Sequence, residues 1–272
     1  MMQRISPALK RCTNITQAQL LTTACRAALT AGLLIKDRYN RPHDIAMKGT
    51  INLVTETDLA AESAILASLT KDAPGIPVMA EESESTHRLT DARPIWIVDP
   101  LDGTTNFAHG FPHFAVSIAL IDQGQPLVAA IYHPMLDELF CASKGGGAWL
   151  NGAPISVSAA DQLINALVAT GFPYEVEQTL PIVMRQLAAM LPRVRDIRRA
   201  GAAALDLAYV ACGRLDGFYE MNLQPWDTAA GWLLVEEAGG CLSDFAGAPF
   251  SPSVPQTLAS NGRLHQALLQ LL

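Results

Sequence analysis

Residues 95–98 are four consecutive apolar side chains with high β-propensity, and an acidic segment that begins at Asp99 follows them directly. Such a run predicts a strand that is buried on both faces. Pro100 lacks a backbone N–H and is expected to end the strand. Gly103 then permits a sharp turn, which is expected to bring Asp102 back beside Asp99. The chain is therefore expected to fold around a buried sheet whose strand end presents two facing carboxylates.

Two facing carboxylates constrain the chemistry of this strand end. Ionised carboxylates that lie close together repel each other, and burial magnifies the repulsion, so the pair needs a cation or a shared proton. Thr104 and Thr105 begin the next segment, where backbone N–H groups can hold an anion. An Asp-Gly turn capped by threonine is the purely structural alternative, which the buried strand in front makes less convincing.

Two further acids are placed to join this pair. Glu81 follows a short predicted strand, and Asp227 lies in the first turn of a predicted helix. Taken alone, Glu81 is typical of a solvated loop, and Asp227 is typical of an acid that interacts with the helix dipole. Together with Asp99 and Asp102 they form a set of oxygen ligands only, which favours Mg²⁺ or Mn²⁺ over Zn²⁺.

Several other phosphate chemistries are excluded by spacing. The sequence contains no G-x-x-x-x-G-K-[ST] loop and no G-x-S-x-G elbow. An aspartyl nucleophile would be expected in a D-x-D-x-T pattern, whereas two residues separate Asp99 from Asp102. A water activated by a metal and attacking in line is therefore the favoured nucleophile.

Composition limits the compartment and the partners. The 272 residues are 50% hydrophobic and carry a formal charge of -7, so the bulk composition provides no basic surface for nucleic acid. Five widely spaced cysteines without a C-x-x-C pair are typical of a reduced, cytoplasmic protein. We expect no apolar run near the roughly 18 residues that span a bilayer. Arg26 interrupts the candidate apolar stretch near the N-terminus, so a signal peptide is not expected.

Apolar periodicity predicts alternating blocks of helices and strands, hence a layered α/β or α+β fold. Asp58 is a plausible N-cap, residues 122–124 are expected to form a hairpin turn, and residues 1–15 are expected to be irregular. The predicted helices cover residues 16–39, 58–69, 178–190, 202–212, 226–238 and 261–271. The predicted strands cover residues 78–79, 95–98, 115–121, 127–132, 138–142 and 217–220.

Three segments, residues 80–83, 96–107 and 226–231, resemble the three signatures of the inositol monophosphatase family and occur in the right order. Residues 198–209 and 217–220 resemble the bacterial members, and the resemblance covers nearly the whole chain. Thr105, Asn106 and Phe107 match the inositol phosphatases, whereas relatives acting on 3′-phosphoadenosine phosphate or histidinol phosphate typically differ there.

The resemblance implies a single domain, residues 1–272, with the αβαβα sandwich of the inositol monophosphatase and fructose-1,6-bisphosphatase type. We expect an N-terminal metal-binding part over about residues 14–150 and a C-terminal part over about residues 151–272. The implied activity is Mg²⁺-dependent hydrolysis of myo-inositol monophosphate to inositol and phosphate (EC 3.1.3.25). Two or three Mg²⁺ ions, substitution by Mn²⁺, inhibition by Li⁺ and a homodimer are implied as well.

The matched positions imply a role for each site residue. Glu81, Asp99 and the carbonyl of Leu101 would hold a first metal. Asp99, Asp102 and Asp227 would hold a second, and a weaker third ion would share Glu81.

The resemblance also implies catalytic and substrate-binding residues. Thr104, paired with Asp58, would orient and deprotonate the attacking water, with Glu81 as the third catalytic residue. Glu220 would bind an inositol hydroxyl, and Ala203 would line the sugar face. The implied substrate contacts are Asp102, Gly103, Thr104, Ala203 and Glu220.

Some positions depart from the family pattern, and alternatives stay open. Ala80 stands where glycine is usual, Ala202 where serine or threonine is common, and Lys48 is one residue out of register with a lysine of relatives. The same chemistry could act on fructose 1,6-bisphosphate or a nucleotide phosphate. A regulatory interaction protein in RNA transcription is the alternative from another class. The expected partners are a phosphorylated polyol and a second copy of the chain, without nucleic acid or membrane.

Overall fold

A computed structural model describes residues 1–42, 45–47, 53–83, 93–174 and 176–272. Its helices are α1 (Met2–Leu9), α2 (Ile15–Arg38), α3 (Glu56–Asp72), α4 (Thr104–Ala108), α5 (Val176–Met190), α6 (Ala203–Ala211), α7 (Pro225–Glu237) and α8 (His265–Leu269). Its strands up to residue 154 are β1 (Ile45–Met47), β2 (Leu53–Thr55), β3 (Val78–Ala80), β4 (Ile95–Asp102), β5 (Ala115–Asp122), β6 (Gln125–His133), β7 (Glu138–Ser143), β8 (Gly147–Leu150) and β9 (Ala153–Pro154). The later strands are β10 (Leu167–Thr170), β11 (Asp196–Arg198), β12 (Gly217–Met221), β13 (Cys241–Ser243) and β14 (Gln256–Ser260).

The helices and the two large sheets stack in alternating layers. Helices α2 and α3 cover one face of the sheet β3-β4-β5-β6-β7-β8-β9, and α6 and α7 cover its other face. Helices α6 and α7 also pack against the sheet β11-β10-β12-β14-β13, whose outer face is covered by α5 and α8. The αβαβα layering predicted for the chain is confirmed.

Strand β4 shows why the central sheet forms where the sequence predicts it. Trp96 and Val98 point into the core beneath α2 and α3, whereas Ile95 and Ile97 point into the core between the two sheets. A strand that is apolar at every position suits this place because both of its faces are buried.

The prediction that Pro100 ends this strand is wrong, since β4 continues to Asp102. The ladder with β5 shifts register between Asp99, which pairs with Ser117, and Asp102, which pairs with Ala115. Two residues of β4 therefore oppose one residue of β5 in a β-bulge. The proline lies within the bulge, where its missing N–H does not interrupt the ladder.

Most predicted helices and the hairpin are confirmed, with differences at their ends. The turn between β5 and β6 is formed by Gln123 and Gly124, both with positive φ, as a tight hairpin requires. Asp58 is not the N-cap of α3: Thr55 caps the helix, and Asp58 occupies the third position of its first turn. The helix predicted over residues 261–271 is limited to His265–Leu269, because the residues before it form a turn.

The sequence misses helix α1 and several short strands. Ile5 and Ala8 of α1 are buried, so the segment before residue 16 is not irregular. Strands β10, β11, β13 and β14 have five residues or fewer, too short for a clear period-2 pattern. The division predicted near residues 150–160 stays a prediction, and the strands change from one sheet to the other across the same stretch.

Helix α2 is long and apolar enough, by length and composition, to cross a membrane, whereas the sequence analysis expects no apolar run of that length. Half of its apolar window is buried inside the protein, where the helix packs on α3 and on strands β5–β7. A helix that fills the core between other elements meets the same criterion.

Helices α6 and α7 approach each other closely at Gly231. A Cβ atom built on Gly231 would lie 2.4–2.9 Å from side-chain atoms of Leu207, including its Cβ. We therefore expect Gly231→Ala to destabilise the protein by about 1–3 kcal/mol, despite the better helix propensity of alanine. Chemical denaturation of the variant measures this change.

The double variant Gly231→Ala/Leu207→Ala is the control for this contact. Alanine at position 207 removes the contacts with Cγ and Cδ1 and leaves only the contact with the Leu207 Cβ. The two substitutions together should therefore cost less than the sum of the single effects. Strict additivity would show that the two helices do not meet at this point.

Candidate functional site

Three aspartates meet where β4 ends and α7 begins. Asp99, Asp102 and Asp227 each offer a carboxylate oxygen, and these oxygens lie within 4.8 Å of one another. Asp99 and Asp102 are buried, and Asp227 is half-buried. The sequence predicts this convergence correctly.

The bulge in β4, rather than the turn at Gly103, brings Asp99 and Asp102 to one face. Residues three apart on a regular strand point to opposite faces. With the bulge inserted, Leu101 turns toward the core beneath α2 and α3. Asp102 therefore faces the same interior layer as Asp99.

Helices α6 and α7 fix two of these carboxylates. The backbone N–H of Ala204 donates to Asp102 Oδ2 at 2.8 Å, so the first turn of α6 points at this side chain. Ala202, the N-cap of α6, offers no side-chain cap, and Asp102 supplies an acceptor from another strand instead. Asp227 is the third residue of α7 and accepts from the N–H of Gln224 at 2.6 Å.

The cluster carries strongly perturbed carboxyl groups. Burial, reinforced by Glu81 and Asp102, raises the pKa of Asp99 well above its usual range. Burial raises the pKa of Asp102 to about 7, although the Ala204 hydrogen bond opposes the shift. Burial and the neighbouring Asp102 likewise raise the pKa of Asp227. Each shift has the cause expected when carboxylates are buried close to one another.

Glu81 directly follows β3 and borders the same cluster. Its backbone N–H continues the pairing with β4 by donating to the carbonyl of Val98 at 3.2 Å. Its charge is among the causes that raise the pKa of Asp99 and of Asp227. Ala80, which stands where the family has glycine, is the buried last residue of β3, so its methyl group is accommodated in the core.

Thr104 and Asp58 are hydrogen-bonded, as the resemblance implies. The hydroxyl of Thr104 lies 2.8 Å from Asp58 Oδ1 and 3.1 Å from the carbonyl oxygen of Leu101. Asp58 also accepts from the backbone N–H of Thr55 at 2.8 Å. Burial raises the pKa of Asp58, and these hydrogen bonds oppose the shift.

Gly103 begins α4 and takes a left-handed conformation with φ 94°. A Cβ atom there would lie 3.0 Å from the carbonyl oxygen of His113. The amide of Asn106 donates to the carbonyls of His113, at 2.7 Å, and Ala200, at 2.9 Å. The sequence motif singles out Asn106 only as part of a signature, and its bracing of the turn against the loop before α6 appears only in the fold.

Glu220 lies on β12, in the other large sheet, and its charge is among the causes that raise the pKa of Asp102. A Cβ atom on Gly171 would lie 2.0–2.2 Å from the Glu220 carboxylate atoms, so glycine at this position leaves room for the acid. Burial and the charge of Asp227 raise the pKa of Glu220 to about 8, and Arg199 opposes the shift. Ala203 is buried at the start of α6.

Two residues near the site were missed by the sequence analysis. Asp206 is a buried acid inside the apolar helix α6, and burial together with Glu220 raises its pKa. An acid within an otherwise apolar helix is a signal that could have identified it. Burial and then the negative charge of Glu81 raise the pKa of Tyr174. Lys48 lies outside the described residues.

The arrangement as a whole favours a cation. The cluster consists of hard oxygen donors, and its pKa values are raised mainly by burial and mutual repulsion. These are properties that a bound Mg²⁺ or Mn²⁺ would relieve. The residues present therefore fit a divalent metal.

Comparison with known proteins agrees with this chemistry. The model of the inositol monophosphatase family matches residues 16–272. The Nus factor SuhB of Salmonella typhimurium is 45% identical over 252 residues, which cover 92% of this chain and 94% of that protein. The inositol-1-monophosphatase of Synechocystis is 42% identical over 253 residues, which cover 93% and 88% of the two chains.

Solved structures show the same relationship. The crystal structure of the extragenic suppressor protein suhB from Bartonella henselae has a TM-score of 0.88 at 40% sequence identity and covers 93% of this chain and 97% of that one. Because the family model and these relatives span nearly the whole chain, the protein belongs to the inositol monophosphatase family, a membership that supports a phosphatase with a divalent-metal site.

Proposed function

We propose that this protein is a Mg²⁺-dependent phosphomonoesterase that hydrolyses myo-inositol monophosphate to inositol and phosphate. The observation that carries the proposal is the convergence of Asp99, Asp102 and Asp227 within 4.8 Å, beside the hydrogen-bonded pair of Thr104 and Asp58. The family match and the Synechocystis relative support the reaction class.

The proposed ligand sets are those that the family resemblance implies. Glu81, Asp99 and the Leu101 carbonyl would hold one ion, and Asp99, Asp102 and Asp227 a second, with Glu81 shared by a weaker third. Mn²⁺ is expected to substitute because it accepts the same oxygen donors, and Li⁺ is expected to inhibit. Bound ions would neutralise the phosphate and lower the pKa of a water molecule.

The protein side chains would supply the proton transfer. The hydroxyl of Thr104 is held by Asp58 Oδ1 at 2.8 Å, so it can accept a hydrogen bond from the attacking water and pass its own proton toward the buried carboxylate. Burial raises the pKa of Asp58, which makes its carboxylate a better proton acceptor than an exposed aspartate. Glu81 would complete this catalytic group.

The substrate would be held between the two large sheets. The backbone N–H groups of Gly103 and Thr104 would bind the phosphate at the start of α4. Glu220 would accept a hydrogen bond from an inositol hydroxyl, and Ala203 would line the sugar face. Asp102 would be a further substrate contact.

We also propose that the protein is a cytoplasmic homodimer that binds neither membrane nor nucleic acid. The five cysteines are free, which agrees with a reducing compartment. Helix α5 exposes Leu180 and Met184, followed just beyond its end by Leu191. Side chains at this spacing share one helix face, and such an exposed apolar stripe supports contact with a second copy.

A second candidate is a regulatory role in RNA transcription, which the relative named Nus factor SuhB favours. Hydrolysis of myo-inositol 1-phosphate, fructose 1,6-bisphosphate, 2′-AMP and 3′-phosphoadenosine phosphate, with and without Mg²⁺ and Li⁺, separates the alternatives. Preference for myo-inositol 1-phosphate supports the proposal, and preference for another ester assigns the same machinery to that substrate. Absence of Mg²⁺-stimulated turnover on all four favours the regulatory role.

Asp99→Asn should reduce kcat by about a hundredfold or more at saturating Mg²⁺, because it removes a carboxylate that both proposed ions share. The substitution also removes charge repulsion, so the metal-free variant should melt no lower than the wild type. Steady-state kinetics and thermal melting test the two effects. Asp37→Asn, at an exposed ion pair with Arg41, is the control and should be fully active. A folded Asp99→Asn enzyme with near-normal kcat would contradict the ligand assignment.

Metal-free protein should lose stability as the pH rises from about 6.5 to about 8.5. The pKa values of Asp102, about 7, and Glu220, about 8, lie above those of unfolded chains, so folding favours their protonated forms and ionisation removes that stability. Burial lowers the pKa of His133 to about 4 and also lowers that of His265. These histidines destabilise the fold only as the pH falls below about 6.5.

Thermal melts in EDTA and in excess Mg²⁺ measure this dependence. Because cations replace the protons between the carboxylates, Mg²⁺ should flatten the slope over this pH interval. Asp102→Asn/Glu220→Gln should flatten it without Mg²⁺. A slope that is equally steep with and without Mg²⁺ in the wild type would argue against metal binding at these acids.

A further inference from the structure

Helix α3 carries a second buried acid for which the proposed reaction provides no role. Glu62 is only 4% exposed. It follows Asp58 by four residues, so the two side chains lie on the same face of the helix, one turn apart. Asp58 holds Thr104 from this face.

The Glu62 carboxylate binds the turn that contains Glu81. One oxygen accepts from the backbone N–H of Glu82 at 2.9 Å, and the other accepts from the hydroxyl of Ser83. The N–H of Glu81 itself donates to the carbonyl of Val98. The backbone of Glu81 is therefore fixed on one side by strand β4 and on the other by helix α3.

This support differs from that of the other proposed metal ligands. Asp99 and Asp102 lie on a strand inside the sheet, and Asp227 lies within a helix. Glu81 lies in a turn beyond the end of β3. A ligand in a turn relies on the contacts of the turn to keep its geometry, and such supporting contacts commonly set metal affinity.

We propose that Glu62 is a positioning residue that holds the turn of residues 81–83 so that the carboxylate of Glu81 faces the aspartate cluster and binds a divalent cation. Helix α3 would then align two parts of the site with one face: Thr104 through Asp58, and Glu81 through Glu62. This inference rests on the proposed metal-dependent function.

The chemistry of Glu62 makes graded variants possible. Alanine removes both acceptors and leaves the N–H of Glu82 and the hydroxyl of Ser83 without them. Glutamine keeps one acceptor oxygen for the Glu82 N–H, and its amide can donate to Ser83 once that hydroxyl rotates. Glutamine should therefore rescue much of what alanine loses.

Glu237 offers a matched control remote from the cluster. Its carboxylate also binds the backbone of a turn, because it accepts hydrogen bonds from the N–H groups of Gly145 at 2.7 Å and Gly147 at 2.8 Å. Glu237→Ala removes the same type of contact from another part of the fold. It should cost stability without affecting metal binding.

Mn²⁺ binding to the substrate-free protein, measured by calorimetry and by electron paramagnetic resonance, tests the inference. The Mn²⁺ Kd of Glu62→Ala should rise about tenfold or more. Glu62→Gln should give a Kd between those of the wild type and Glu62→Ala, and Glu237→Ala should match the wild type. In steady-state assays, the loss of activity in the Glu62→Ala variant should appear mainly as a higher Mn²⁺ concentration needed for half-maximal activity. Its substrate KM at saturating Mn²⁺ should be nearly unchanged.

A folded Glu62→Ala protein with wild-type Mn²⁺ affinity would overturn the inference. If Glu62→Ala does not fold, the Mn²⁺ affinities of Glu62→Gln and Ser83→Ala test the inference instead. Wild-type Mn²⁺ affinity in both variants would overturn it. A wild-type protein that binds Mn²⁺ but hydrolyses no phosphate ester would refute the proposed function alone, because the inference is judged by Kd. A wild-type protein that binds no Mn²⁺ would refute both.

Discussion

Mutual repulsion among Asp99, Asp102 and Asp227 is the constraint that the surrounding structure must accommodate. Their carboxylate oxygens lie within 4.8 Å of one another, and two of the three side chains are buried. Buried like charges at this separation are costly unless protons or cations lie between them. The raised pKa values of these acids express that cost, so the folded chain is prepared for a ligand of positive charge.

Three helix N-termini surround the cluster and offset part of this cost. Asp58 lies in the first turn of α3, the first turn of α6 donates to Asp102, and Asp227 lies in the first turn of α7. The N-terminal end of a helix carries partial positive charge and free N–H groups. The layered fold thus directs the N-terminal ends of helices from two layers, α3 on one face of the larger sheet and α6 and α7 on the other, at the place where that sheet collects negative charge.

Much of the site could be predicted because its residues occur in short local patterns. The apolar run of β4 predicts a buried strand, and the acids at its end follow in sequence. The long helices α2 and α7 were located to within one or two residues by their apolar spacing and end signals. Apolar spacing does not locate the ends of α3 and α8 or the short strands of the sheet β11-β10-β12-β14-β13. Capping partners decide these helix ends, and pairing with neighbouring strands decides these strands.

The sequence by itself determined the chemical character of this protein: which acids it holds, that they lie at the ends of strands and helices, and that their oxygens suit a hard divalent cation. Only the tertiary structure decided how they meet. A bulge that includes Pro100 rotates Asp102 to the face of Asp99, a helix distant in sequence donates to Asp102, and Glu62 reaches the turn of Glu81. The physical reason is that local sequence specifies backbone preference and side-chain chemistry, whereas contacts between residues far apart in the chain exist only after packing has placed them.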